Sequence, residues 1–316
     1  MTPSTLFPRL RVLLAGLALV GCGVLRAAED NAYLLSSYRG NGDGLHLSYS
    51  TDAHRWTVID GIFFTSKIGS RLFRDPYILR SNDGVYRMVW TTGFKDHGVG
   101  YAQSVDLIHW SEPRMLALMK GYPAKNCWAP KLLQDSSGLY RIYWTSDVDG
   151  WFTDEAPVDS PFNNRTFHAT TRDFATFSEP SLLIEPGFDH NDTNIIAWRG
   201  GYIATFKRAG STKERNWGAH YAAIATDAAG PYKLVPTPII SGRQTDAIGI
   251  LNTGDQIIYY VKRASPRQLA AYSTTDGQTW TDITDTISGD PAHSQGNIFS
   301  VPVSVLNQVQ ASAAAH

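Results

Sequence analysis

Cysteine is nearly missing from this chain: among 316 residues only Cys22 and Cys127 carry a thiol. Two such thiols build no disulfide framework, and neither stands in the paired spacing of a zinc site. An excess of charge is missing too. Against 29 acidic residues stand 28 basic ones, a formal net charge of -1. Binding to a phosphate backbone needs a basic surplus, so nucleic acid is excluded as the main partner. Sustained helical periodicity is also lacking beyond the N-terminal run. That run, Val12 to Val20, is the longest apolar stretch and is too short to cross a bilayer as a mature helix.

The same run has the form of an export signal over residues 1–28. Arg9 and Arg11 precede it and small residues follow. Two cleavage readings stand side by side. Leu19-Val20-Gly21-Cys22 has the form of a lipobox, with Cys22 as a lipidated membrane tether, and Ala27-Ala28 suits an ordinary signal peptidase. Either places the mature protein outside the cytoplasm.

What is abundant are aromatics and turn formers: 9 Trp, 15 Tyr, 13 Phe, 27 Gly and 16 Pro. This is the composition of strands joined by tight turns. One pattern recurs at intervals of roughly fifty residues, a strand ending in a small residue, then Asp, then an aromatic. It holds Asp52 with Trp56, Asp106 with Trp110, Asp173 with Phe177, Asp227 with Tyr232, and Asp276 with Trp280. Between the copies lie Gly turns at Gly84, Gly138, Gly201 and Gly254, each followed by an alternating strand led by Tyr or Ile. A period of about fifty residues with four strands per unit is that of propeller blades. The sequence therefore predicts an all-β, five-bladed β-propeller over 29–306, with residues 307–316 as a disordered tail. The unpartnered N-terminal strands and the C-terminal strand ending at Pro302 are expected to share one blade and close the ring.

Counting back the same distance from each Gly turn finds where the inner strands begin: Asp75, Ala129, Asp192, and Thr245 beside Asp246. Asp75, Asp192 and Asp246 are thus expected to converge on one end of the central channel. Carboxyls crowded in such a funnel raise one another's pKa, which suits acid–base work. Each taken alone would serve equally as a strand or turn cap. Loops opening on the same face hold Asp43, Trp151, Arg208 and Trp217, with Lys213 and His97 beside them. Aromatic faces and forked donors are what sugar rings and their hydroxyls require. The long segment 147–165 is expected to set specificity.

These residues resemble glycoside hydrolase family 43, five-bladed propellers acting on arabinofuranosides, xylosides and related glycans. The likeness rests on Arg74-Asp75-Pro76, Asn126-Cys127-Trp128-Ala129-Pro130, Asp192 in its inner-strand place, and the opening Gly40-Asn41-Gly42-Asp43-Gly44-Leu45-His46. It implies that Asp75 is the general base and that Asp192 orients the acid. Asp246 stands where the family has a Glu as proton donor. Arg74, Trp128, Lys131 and Gln295 would join the substrate site. Lys131 takes a place often acidic in the family, where it would lower neighbouring carboxylate pKa values and suit an anionic sugar. Gln295 takes the place of a His that often lies beside a calcium ion near the axis; His293 is close in sequence. No cofactor is otherwise implied. The expected activity is inverting hydrolysis of an oligo- or polysaccharide by a monomer, and the competing reading is a glycan-binding propeller that has lost catalysis. A sialidase is disfavoured, because only Arg74 of the three arginines it needs has axial placement.

Overall fold

Alternating Tyr, Ile, Val and Thr between Gly turns favour short antiparallel strands with one face for each neighbouring sheet. The computed structural model describes residues 31–40, 42–152, 161–209, 218–242, 245–264, 266–289 and 294–315. Among them the chain forms five four-stranded antiparallel sheets.

Blade one joins the two chain ends. Its order is β20 (Asn297–Pro302), β1 (Asn31–Ser37), β2 (Leu45–Ser50) and β3 (Thr57–Phe64). The closing ladder runs from Asn31↔Pro302 to Ser36↔Asn297. Blade two holds β4 (Arg74–Arg80), β5 (Tyr86–Thr91), β6 (Val99–Ser104) and β7 (Arg114–Leu116). Blade three holds β8 (Trp128–Gln134), β9 (Tyr140–Ser146), β10 (Arg165–Thr171) and β11 (Ser181–Ile184). Blade four holds β12 (His190–Trp198), β13 (Gly201–Arg208), β14 (His220–Ala225) and β15 (Lys233–Leu234). Blade five holds β16 (Thr245–Asn252), β17 (Ile257–Ala264), β18 (Arg267–Thr274) and β19 (Thr281–Asp282). The inner strands β20, β4, β8, β12 and β16 touch in succession and return to β20. This is the expected five-bladed propeller, closed as predicted.

No blade buries both of its faces alone, so the core lies in the seams. Five apolar clusters fill them. Leu34 and Leu47 of blade one meet Ile78, Met88 and Trp90 of blade two. Val89 and Tyr101 meet Leu132 and Trp144, and Tyr143 and Leu183 meet Ile195 and Phe206. Ile203 and Ala222 meet Ile250 and Tyr259. Leu251 and Tyr260 return the packing to Leu35 and Trp56 of blade one.

The repeated Asp closes the turn after the third strand. Asp106 Oδ1 accepts the N–H groups of Ile108 and His109 at 2.9 and 2.8 Å, and Asp173 those of Ala175 and Thr176 at 2.9 Å. Asp52 and Asp276 do the same. In blade four, Ala225 replaces the Ser or Thr, and Asp227 keeps only the Ala229 N–H.

Two expectations change. The blade-four turn lies at Arg199–Gly200, whose φ values are 50° and 78°, with Gly201 already in the strand. Positive φ at both turn residues suits the twist of a tight hairpin. At the C terminus the expected tail is instead helical over 303–314, as α1 (Val303–Ala314). Leu306 and Val309 tuck into the first seam and supply the apolar contact that holds this helix. The export signal and Cys22 lie outside the described residues.

Candidate active site

Inner strands approach one axis, so side chains at their first residues meet at one face. In blades two, three and four the inner strand pairs as Arg74↔Thr91, Trp128↔Thr145 and Asn191↔Lys207. Pairing then resumes one residue out of step at Tyr77, Lys131 and Asn194. Such an extra residue is a β-bulge, which re-aims a side chain. Within it Asp75, Ala129 and Asp192 take φ values of 54°, 45° and 56°. A left-handed L-residue costs roughly 1–2 kcal/mol, so three matching copies mark a backbone feature imposed by the fold.

Blade five also gains one residue, between Ala247 and Gly249, but without a left-handed residue there. Pairing resumes at Gly249, so the residue matching Asp75 and Asp192 is Ala247. Asp246 falls one position earlier, opposite Lys262. Counting from Gly254 missed this offset, because counting assumes the hairpins are alike.

A cavity of about 190 Å³ opens at these strand starts, lined by Arg74, Asp75, Thr91, Phe94, Trp128, Ala129, Asn191, Asp192 and Gln295. Five of the expected site residues therefore come together: Asp75, Asp192, Arg74, Trp128 and Gln295. Asp192 Oδ2 accepts Gln295 Nε2 at 3.3 Å. Gln295 Oε1 in turn accepts the Tyr38 hydroxyl at 2.9 Å, and that oxygen takes both Nε and Nη2 of Arg74 at 2.9 and 2.7 Å. Trp128 donates Nε1 to the Phe94 carbonyl at 3.1 Å, and its ring stands edge-on to Phe162 at 4.7 Å. Phe94 is 52% exposed, an open aromatic face at the cavity.

The carboxyls differ in setting. Burial pushes the Asp75 pKa up and the Asp192 charge adds to it; the Thr91 hydrogen bond, Lys131 and Arg74 offset this only in part. Lys131 is therefore near the carboxyls as expected, yet Asp75 ends above its ordinary range. Lys131 lies beneath them, 3% exposed, with Nζ donating to the Gly296 carbonyl at 3.0 Å and standing over the Tyr77 ring. It is outside the cavity lining, so an anionic sugar there would not meet it. Burial lowers the Lys131 pKa, partly countered by Asp75 and Asp192.

Asp246 is also outside the cavity lining. Its side chain is 53% exposed and its Oδ1 sits 2.8 Å from Lys207 Nζ, which reaches Asp192 Oδ2 at 3.4 Å. Burial opposes the Asp246 charge, but the Lys207 ammonium outweighs it, with His220 and Lys262 assisting, and holds the carboxyl below its usual range. Asp43 accepts from the Arg39 N–H at 3.0 Å and pairs with His46 at 2.8 Å. Trp151 packs on Phe152 and Phe167, and the Arg208 guanidinium lies over Phe188. None of these three lines the cavity. Trp217, Lys213, Asn41 and His293 lie outside the described residues.

A calcium ion at the axis does not suit the groups there. The Lys131 ammonium already faces Asp75 and Asp192, and among the described residues no three His, Cys, Asp or Glu side chains gather as metal ligands would.

Residues 29–301 match the family model of a glycosyl hydrolase 43-related domain, described as a probable glycosyl hydrolase domain. The chain belongs to this family. Among solved structures, a thermostable family-43 glycoside hydrolase aligns with a TM-score of 0.59 at 16% identity, over 84% of this chain and 93% of that one. An endo-1,4-β-xylanase from Bacteroides thetaiotaomicron aligns at 0.55 and 14% identity, over 83% and 92%. An endo-arabinase from the same organism aligns at 0.53 and 17%, over 69% and 82%. At such identities the likeness is one of fold. Among curated proteins no sequence match was found.

Sequence reasoning overlooked Thr91, Lys207, Phe94 and Tyr38. Two of them had a signal: Thr91, Thr145, Lys207 and Lys262 all stand at the same remove from the Tyr or Ile leading each second strand.

Proposed function

We propose that this member of the glycosyl hydrolase 43-related family is an exported glycosidase that hydrolyses the bond to a single terminal sugar residue of an oligo- or polysaccharide, with inversion. The carrying observation is that Asp75 and Asp192, from different blades, line one cavity beside the aromatic side chains of Phe94 and Trp128. Its roughly 190 Å³ is below the ~300–1,000 Å³ of sites for drug-sized ligands, which favours one ring. Water attack from the face opposite the leaving group requires one protonated and one ionised carboxyl. The site is built within one chain, in keeping with a monomer. Export, and a lipid tether at Cys22, rest on the N-terminal sequence.

The test is turnover of aryl arabinofuranosides, xylosides and galactosides. Activity on one of them, lost about a thousandfold in Asp75→Asn and Asp192→Asn, supports the reading, and NMR of the first-formed anomer reads the stereochemistry. A second reading, a glycan-binding propeller without catalysis, is favoured by Asp246, which the resemblance would make the acid but which is ion-paired outside the cavity. Glycan binding that survives both substitutions, with no turnover by the wild type, would select it.

A further inference from the structure

Blade two meets its cavity carboxyl with a hydroxyl from its own second strand. Thr91 pairs with Arg74 across the bulge that carries Asp75, and it lines the cavity although only 2% exposed. Thr91 Oγ1 lies 2.7 Å from Asp75 Oδ2 and 2.9 Å from the backbone nitrogen of Ala129, the left-handed residue of the next blade. The chemistry of the groups fixes the direction of both bonds. A backbone N–H only donates, so Oγ1 accepts from Ala129. The hydroxyl has one proton, and among the described residues Asp75 Oδ2 is its one acceptor. That proton therefore points at Oδ2, which is held as an acceptor.

The hydroxyl is itself locked. Ala129 belongs to β8, where the blade-three bulge fixes its backbone, so a β5 side chain is gripped from one blade while it grips a carboxyl of its own. It cannot turn without giving up a buried bond. The other groups facing Asp75 are Asp192 from β12, Lys131 from β8 and Arg74 next to it in β4, with the Tyr38 phenol nearby. These act on the carboxyl by charge across space, whereas Thr91 is its one hydrogen-bond partner among the described residues. Oδ1 is thus the oxygen left for water or a ligand.

We propose that Thr91 is the positioning residue of the base: by claiming Oδ2 it leaves Oδ1 of Asp75 as the oxygen that takes the proton of the attacking water. This rests on the glycosidase reading and on the role that the family resemblance implies for Asp75. In the step, the water oxygen bonds to the anomeric carbon and its proton passes to Oδ1. The electron pair of the broken glycosidic bond leaves with the aglycone oxygen. On a dinitrophenyl glycoside that oxygen departs as a phenolate and needs no proton, so the base side is read by itself. A hydrogen bond donated to a carboxylate also favours its ionised form, the form in which a base is competent.

The test is the pH dependence of turnover on dinitrophenyl arabinofuranosides, xylosides and galactosides. Thr91→Val keeps the shape and removes the proton. Its acidic limb of kcat/KM, which reports the base of the free enzyme, should move up by about one pH unit, the share of one hydrogen bond to a carboxylate. On the plateau kcat should fall about ten- to a hundredfold with KM nearly unchanged, because Oδ1 is no longer aimed. Thr91→Ser keeps both bonds and should restore the limb and kcat, which controls for the Ala129 N–H left unpaired by Val. Thr91→Ala gives the same reading should the Val variant not fold. A merely structural Thr91 would lower stability and leave the limb in place; an unmoved limb, or one that Thr91→Ser fails to restore, overturns the proposal. If the wild type turns over none of these glycosides, the glycosidase reading fails separately, and carboxyl NMR of the unliganded protein decides this one. Asp75 should titrate about one unit higher in Thr91→Val than in the wild type and Thr91→Ser; equal values refute it.

Discussion

At Gly296 one methyl group should pry the ring open. A Cβ there would stand 1.8 Å from the Ser36 carbonyl oxygen and 2.7 Å from its carbon, whereas ordinary contact begins at 3.4 Å. The opposing atoms are backbone, so the strain is relieved only by moving β20 away from β1. Several buried hydrogen bonds hold β20 against its neighbours on both sides. Asn297 N–H donates to Ser36 Oγ at 3.0 Å, and the Asn297 amide holds both the N–H and the carbonyl of Ile78 at 2.8 Å. Lys131 Nζ depends on the Gly296 carbonyl. Leaving a buried polar group unpaired costs about 1–3 kcal/mol, and two losses give about 2–6 kcal/mol. Total stability is of order 5–15 kcal/mol, and each kcal/mol moves Tm by roughly 2–4 °C in larger domains. Gly296→Ala should therefore melt about 4–24 °C below wild type and lose the cavity's Gln295 contact. Gly254→Ala is the comparison. Its Cβ meets nothing within 4 Å, though φ is +95°, so only the backbone cost of about 1–2 kcal/mol applies. A Gly296→Ala melt within about 2 °C of wild type would refute the reasoning, since it would mean that the seam yields without losing its bonds.

Three further outcomes are expected. Hydrogen bonds from the Thr176 and Ala175 N–H groups hold Asp173 down to about 2, and those from Thr279 and Gln278 do the same for Asp276. Their stabilisation is full above the ordinary carboxyl value of 3.8 and is lost as pH falls toward about 2. Tm measured against pH should fall across that window, and less steeply in the Asp173→Asn/Asp276→Asn double variant; parallel curves would contradict this. Phe94→Ala removes an exposed aromatic face from the cavity, so KM should rise about tenfold, for roughly 1.4 kcal/mol of stacking, with kcat nearly unchanged; an unaltered KM removes Phe94 from the substrate site. Leu306→Ala should cost about 2–5 kcal/mol, seen as a lower urea midpoint, because the helix it belongs to packs on the first seam; no shift would mean that α1 carries none of the ring's stability.

The blade count, the ring closure and the carboxylates Asp75 and Asp192 were legible because they follow from periodicities that the chain repeats. Turn signals recur at each Gly, and an inner strand is placed by its distance from the turn. That ruler failed in blade five, where a differently shaped hairpin put the count at Thr245, two residues short of the matching Ala247. The depth of Lys131 was invisible: no local pattern reveals that a lysine will reach the Gly296 carbonyl from another blade. Loop residues such as Trp151 and Arg208 were placed near the site by topology alone, whereas their neighbours Phe167 and Phe188 decide where they point. The C-terminal helix was missed because a single short amphipathic turn pattern after the last strand resembles a polar tail until the seam that receives Leu306 is known.

Gln295, Gly296 and Asn297 come almost last in the chain, yet one bonds Asp192, the next receives Lys131 and the third bonds blade two. Three consecutive residues thus tie together the settings of Asp192, Lys131 and the second blade. A disturbance of this one short segment would therefore be felt at the cavity, beneath it and across the neighbouring blade at once.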